Sequence, residues 1–249
     1  MDPATERLAD FTEEVIARRI RIGAGAATLE PRIERIGEFS FAAQLAERFR
    51  SSSAFLVGDA AHRATPRGGT GMNTALHDGY DLGWKVAWVL RGWAAPQLLD
   101  SYEAERRPVA EHNVARSADP NGTLSGADQA LHADLGDRIP HAWVASAGDR
   151  VSTLDLLGPG LTVFTGPHGA AWEQAAASVP GLPPLTVHGL DAITARAMGI
   201  RTGGALLVRP DGSPASWLSD AEDAGPALLT AVRSTLSAGV SEASEYAVA

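Results

Sequence analysis

The sequence predicts a mixed α/β fold in two parts, and three observations predict it. A short apolar run at 54–58 leads into a glycine-rich loop, and a long helical pattern begins at Met72. Further on, apolar runs at 162–164 and 205–208 alternate with a helical stretch at 172–178. Between these halves lies a polar segment rich in Asp and Gly, including Asp119-Pro120-Asn121-Gly122, which reads as a linker.

At 249 residues, with 45% hydrophobic and 20% charged, the chain has the composition of one large or two smaller packed domains. No apolar run reaches the ~18 residues that a membrane span takes. The start, Met1-Asp2-Pro3-Ala4-Thr5-Glu6, is acidic and lacks the apolar core of a secretory signal, so a cytoplasmic protein is expected. There are no cysteines, which excludes disulfides, thiolate metal sites and dithiol chemistry. A formal net charge of -9 argues against nucleic acid as a partner.

Each element follows from its local pattern. Leu8, Phe11, Val15 and Ile16 recur at helical spacing. Ile33, Ile36, Phe39 and Phe41 suggest a strand over 32–41, and 42–49 a short helix or turn. Residues 54–58 read as a short buried strand. The helix from Met72 to Arg91 is apolar on most sides. Gly79 and Gly83 lie one turn apart on it, which predicts close approach of a backbone or ligand. Gly92 and Pro96 end it. A second helix is expected over 97–116, broken or kinked at Pro108. Arg209-Pro210-Asp211-Gly212 is a tight turn, and the tail after Ser237 is expected to fray.

The loop after residue 58 carries the chemistry. Asp59 is expected at the carboxyl end of a strand, where ligands bind in open α/β folds, and its carboxylate suits the hydroxyls of a ribose or ribityl chain. Gly68, Gly69 and Gly71 remove side chains, so a planar ring or a phosphate can approach the backbone. The amides of Gly71, Met72 and Asn73 are the free donors of the following helix, whose dipole favours negative charge. A site that binds hydroxyls and stabilises an anion suits a flavin. A lone Gly-Gly-x-Gly serves equally well as a plain turn with a helix cap, and only the longer string separates the two.

That longer string is Gly58-Asp59-Ala60-Ala61-His62, Pro66, Gly68-Gly69, Gly71-Met72-Asn73, Asp78, Leu82-Gly83-Trp84-Lys85, continuing through 98–108. It resembles the second flavin-binding motif of the single-component FAD-dependent aromatic hydroxylases, the group containing para-hydroxybenzoate and phenol hydroxylases. The resemblance implies that Asp59 holds the ribityl chain and that the backbone at Gly71–Asn73 faces the pyrimidine edge of the flavin. It places Pro66 near the reactive carbon of the ring. The cofactor residues so implied are Gly58, Asp59, Pro66, Gly68, Gly69, Thr70, Gly71, Met72 and Asn73. Many members have two prolines where this chain has Thr65-Pro66. Stretches 152–158 and 207–212 resemble the thioredoxin-like extra domain of the larger members, which serves packing or dimerisation.

The family's dinucleotide fingerprint is absent. The nearest string, Gly23-Ala24-Gly25-Ala26-Ala27-Thr28, is a decoy: arginine-rich before it, Thr at its sixth position, and Pro31 within the required helix. The resemblance therefore implies a C-terminal half. Residues 1–50 would close a substrate domain, 51–118 would be the C-terminal part of the FAD-binding domain, 119–137 the linker, and 138–249 the thioredoxin-like domain.

Several side chains point to bland roles. His62 and His77 flank the loop and suit hydrogen-bonded structural positions, Asp78 and Asp81 suit bonds to backbone or arginine on the helix surface, and Arg106 and Arg107 suit ion pairs with Glu103, Glu105 or their neighbours. Trp84, Trp88 and Trp93 read as core. No metal-ligand spacing or G-x-S-x-G occurs, and no catalytic side chain stands out. Two functions remain. One is NAD(P)H-dependent hydroxylation of a phenolic or polyketide-like aromatic with FAD. The other is an inactive fragment or interaction subunit that completes itself with an N-terminal half or as a homodimer.

Overall fold

The computed structural model describes residues 8–37, 41–66, 68–119, 138–146, 149–179, 183–219 and 222–237. Most of the expected linker and the tail after Ser237 lie outside these residues. The chain divides into two compact units, Met1–Phe41 and Ala42–Ala249.

The first unit is built on α1, Glu13–Ala24. Thr12 caps it by accepting from the Val15 amide at 3.4 Å, Glu13 and Glu14 suit its positive end, and Gly25 terminates it at φ 63. The glycine string at 23–28 is thus the end of a helix, and Ile20-Arg21-Ile22 is helical rather than a strand. Of the expected strand at 32–41, residues 32–37 are irregular and 38–40 lie outside the described residues. Ile33 and Ile36 are three apart, not alternating, and no strand among the described residues pairs with them.

The second unit begins with short antiparallel pairs: β1, Gln44–Leu45, with β4, His62–Arg63, and β2, Arg50–Ser51, with β3, Ala54–Phe55. The expected buried strand at 54–58 is therefore only a two-residue arm of a hairpin. Leu56 is partly exposed, at 39%, and a 3-10 turn at Gly58–Ala60 follows. A buried strand takes neighbours on both sides, and β3 pairs only with β2 among the described residues. Helix α2, Gly71–Leu90, packs against α3, Ser101–Ala118, with a 3-10 turn at Pro96–Asp100 between them. Pro108 sits inside α3 without ending it.

The C-terminal part is a four-stranded sheet. Its strands are β7, Leu161–Thr165, β8, Leu185–Gly189, β9, Ala205–Val208, and β10, Pro214–Leu218, in the order β10-β9-β7-β8. β7 and β8 are parallel, and the other pairs are antiparallel. A hairpin of β5, Trp143–Ser146, and β6, Asp149–Ser152, precedes it. Helices α4, Ala170–Ser178, α5, Ala192–Ala197, and α6, Ala224–Ser237, complete the domain. Side chains alternate between its faces. Leu161, Val163, Ala205 and Leu207 point to a core with Trp172 of α4 and Leu228 of α6, whereas Phe164, Leu206 and Val208 point to one with Ala195 of α5. Trp84, Trp88 and Leu98 belong to the first of these cores, so α2 is packed onto the C-terminal sheet.

Candidate cofactor site

The loop between β3 and α2 takes its shape from three glycines with left-handed backbone. Gly58 has φ 58, and a Cβ there would lie 3.0 Å from Cβ of Ala75, so the chain crosses close against the second turn of α2. Gly68 and Gly69 have φ 79 and 66, and the Gly69 amide donates to the Pro66 carbonyl at 3.3 Å. A side chain at either position would strain the turn. Thr70 then leads into α2 without a side-chain cap. The amides of Gly71, Met72 and Asn73 make no hydrogen bond among the described residues, while the Thr74 amide donates to the Thr70 carbonyl at 2.9 Å. An uncapped N-terminus of a 20-residue helix is a ready anion site.

Asp59 is exposed. It borders a shallow groove of about 380 Å³ whose other walls include Gln44, Ala46 and Arg63. The structure thus places Pro66, Gly68, Gly69 and Thr70 just before α2 and Gly71, Met72 and Asn73 in its first turn, and seats Gly58 and Asp59 beside α2. Asp59 stands in the 3-10 turn rather than at the end of a buried strand.

Behind the loop lies a buried polar group. Asp78 is fully buried: one carboxylate oxygen accepts from the Gly58 amide at 3.2 Å and pairs with Nε2 of His62 at 2.6 Å, while the other accepts from Nε of Arg106 at 2.9 Å. Asp78 bonds both backbone and arginine as expected, but inside the protein rather than on the helix surface. His62 is buried and paired with Asp78. His77 is half-buried, and burial together with the Arg106 guanidinium lowers its pKa. Arg106 pairs with Asp78, and Arg107 with Glu111, not with Glu103 or Glu105. Glu103 instead accepts from the backbone amides of Phe49 and Arg50 at 2.9 and 3.0 Å.

A second cluster ties α2 and α3 to the C-terminal domain. Lys85, fully buried, donates to Asp81 at 2.8 Å and to Glu105 at 3.1 Å. Arg209 grips Glu105 with two bonds, at 2.9 and 2.8 Å, and donates to Asp211 at 2.8 Å. Trp84 Nε1 donates to Asp211 at 2.9 Å. Three carboxylates therefore face two cations. Burial works against the Glu105 and Asp211 carboxylates, but Arg209 and Lys85 outweigh it and hold both below their usual range. Asp81 lacks such a guanidinium grip. Burial, opposed by Lys85 and reinforced by Glu105 and Asp211, pushes it up to about 7.

A pH dependence follows. The folded chain holds a proton on Asp81 between about pH 4 and 7 that the unfolded chain releases, so Asp81 contributes less to stability as pH rises through that window. The limiting slope is on the order of 1 kcal/mol per pH unit. Glu105 and Asp211 titrate below their ordinary values, so they act only at more acid pH. Melting temperature measured from pH 5 to 7.5 is expected to fall less steeply in Asp81→Asn than in the unaltered chain; parallel slopes would remove Asp81 as the titrating group.

Sequence reasoning gave Arg106 an ion pair but missed Asn113 and Ser117, the other buried polar residues on the same face of α3. Arg106, Asn113 and Ser117 are buried, and they recur at spacings of seven and four on one helical face. That periodicity of polar residues was the available signal. The close approach expected at Gly79 and Gly83 is not made within the described residues: no atom lies within 4 Å of a Cβ built at either.

Residues 1–117 match the family described as FAD binding domain, and 132–238 match aromatic-ring hydroxylase, C-terminal. The aklavinone 12-hydroxylase of Streptomyces purpurascens is 35% identical over 93% of this chain and 52% of its own length. The tetracenomycin A2 monooxygenase-dioxygenase of Streptomyces glaucescens is 33% identical over 94% and 50%. Among solved structures, an aklavinone-11 hydroxylase in complex with FAD and aklavinone superposes with a TM-score of 0.78 at 32% identity, covering 95% of this chain and 53% of that one. The chain spans about half the length of the relatives it matches.

Proposed function

This chain belongs to the FAD-dependent aromatic hydroxylase family, and we propose that it supplies the flavin end of an FAD site together with the accessory domain behind it. The observation that carries this is the uncapped start of α2, with three amides unbonded among the described residues, following a left-handed Gly68-Gly69 turn and flanked by an exposed Asp59. When bound, FAD would supply reduction by NAD(P)H and activation of oxygen for hydroxylation of an aromatic ring.

The residues fit that group. The Asp59 carboxylate faces solvent, where it can accept hydrogen bonds from the hydroxyls of the sugar-alcohol chain. The amides of Gly71, Met72 and Asn73, at the positive end of α2, stabilise negative charge on the pyrimidine edge. Gly68 and Gly69 keep side chains off the ring plane, and Pro66 braces the turn through its carbonyl. The substrate class we infer is a phenolic or polyketide-like aromatic, supported by relatives named for aklavinone and tetracenomycin. We read the sheet order β10-β9-β7-β8, with its single parallel pair and helices on both faces, as a thioredoxin-like accessory domain whose role is packing.

One observation favours a second reading, in which the site is completed by another polypeptide segment. Met72 and Leu76 on α2 are 72% and 63% exposed, and Gly79 and Gly83 continue the same open face. An apolar helical stripe of this kind is a contact surface. Its occupant would be a complementing dinucleotide-binding half or, less economically, a second copy of this chain.

Titration with FAD, followed by flavin fluorescence and absorbance, tests the primary reading. The unaltered chain is expected to bind, and Asp59→Ala to weaken binding by about tenfold, the equivalent of one lost charged hydrogen bond. Because Asp59 is exposed, its removal should leave melting temperature unchanged. Equal affinity in the variant would exclude Asp59 from the site. Failure of the unaltered chain to bind FAD would leave the completed-site reading, which sedimentation with and without a supplied dinucleotide-binding half then decides.

A further inference from the structure

We propose that α3 acts as a polar splint that holds both ends of the cofactor loop in binding geometry, with Arg106, Asn113 and Ser117 as positioning residues. The proposal rests on the flavin reading of the loop. It assigns a function to residues that touch neither the groove beside Asp59 nor the free amides of α2.

The three side chains lie on one face of α3, with the fully buried Ala110 between them. Each reaches the loop or its continuation. Arg106 donates to Asp78 at 2.9 Å, and the opposite oxygen of Asp78 receives the Gly58 amide at 3.2 Å. This fixes the residue immediately before Asp59. Asn113 Nδ2 donates to Oγ1 of Thr74 at 2.9 Å, and that hydroxyl donates to the Thr70 carbonyl at 2.9 Å. This fixes the first turn of α2, which carries the free amides. Ser117 Oγ receives the Thr65 amide at 3.0 Å, and the Ser117 carbonyl receives the Thr65 hydroxyl at 2.5 Å. This fixes the residue before Pro66.

Three bonded routes from a single helix therefore end at Gly58, Thr65 and Thr70, which belong to the cofactor residues or adjoin them. Apolar packing sets separation but not direction, whereas hydrogen bonds set both. A glycine-rich loop loses much conformational freedom when ordered. Bonds already made before the ligand arrives remove that cost from binding. The polar stripe would otherwise be an inefficient way to pack two helices, because each buried polar group costs stability unless paired.

The experiment compares the unaltered chain with Ser117→Ala, Ser117→Thr, Asp78→Asn and Ser101→Ala. Ser101 serves as the control, since its hydroxyl bonds only locally, to the Leu98 carbonyl at 2.8 Å. Hydrogen–deuterium exchange without FAD is expected to quicken severalfold within 58–74 in Ser117→Ala, with melting temperature nearly unchanged. FAD affinity should fall about tenfold, as loss of a pre-formed loop geometry predicts. Ser117→Thr keeps the hydroxyl and should restore both. Asp78→Asn should quicken exchange at the 58–62 end. Ser101→Ala should change neither. Unchanged exchange in 58–74, an increase spread evenly along the chain, or faster exchange with unaltered FAD affinity would each overturn the splint. If the unaltered chain takes up no FAD, the reading of a flavin site formed by this chain alone fails, and the exchange pattern alone still decides whether α3 sets the loop.

Discussion

Replacing Arg209 by methionine is expected to destabilise the folded chain by about 3–5 kcal/mol, the range for removing one partner from a buried charge group. Arg209 enters from the turn after β9 and joins Glu105 of α3, Asp211 of its own turn and the environment of Asp81 on α2. Without it, the buried Asp81 and the part-buried Glu105 and Asp211 face only the Lys85 ammonium. Methionine keeps most of the stem volume, so the loss reports charge rather than packing. Chemical denaturation measures it. Adding Glu105→Gln to the same chain removes one of the stranded charges and should recover part of the loss, because the two sites are directly coupled. A cost under about 1 kcal/mol for Arg209→Met would show that the cluster is solvated like a surface pair.

Truncating Trp88 to alanine should cost a similar ~3–5 kcal/mol, for a different reason. Trp88 is almost completely buried where α2 meets the C-terminal sheet. Its ring packs edge-on to Trp84, with centroids 4.7 Å apart, and its Nε1 donates to the Pro159 carbonyl at 2.9 Å. The truncation leaves a cavity in a core shared by α2 and the sheet, and an unpaired carbonyl at residue 159. Trp88→Phe restores most of the volume but not the bond, and should recover more than half of the stability. If two unfolding transitions appear in Trp88→Ala, the helical part and the sheet are coupled mainly through this contact. A single transition with a loss below about 1 kcal/mol would show that the core refills around the gap.

The parts of the fold that were legible in the sequence are those with a strong local period. Helix α2 runs Gly71–Leu90 where the pattern placed it at 72–91, and Gly92, at φ 69, follows its end. β7 and β9 contain the expected runs 162–164 and 205–208 because each contributes side chains to two cores, which demands continuous apolar sequence. The turn at Arg209–Gly212 closes with the Gly212 amide on the Arg209 carbonyl at 3.0 Å. The failures share a cause. Residues 32–37 and 54–58 carry apolar residues, but strand formation is decided by a neighbour, and no local pattern reports whether one is there.

The site divides in the same way. Glycines at 58, 68 and 69, the helix start at 71 and the exposed carboxylate at 59 are local facts: backbone conformation and helix polarity depend on a few consecutive residues. The burial of Asp78, its three partners, the α3 stripe and the shared grip of Arg209 on two helices all join residues distant in sequence. By itself the sequence determined a glycine turn, a helix dipole and an acid beside them, since short-range sterics and dipoles are written residue by residue. Only the tertiary structure decided which polar side chains leave water and whom they meet, because desolvation and Coulomb energy depend on positions in space that chain order does not specify.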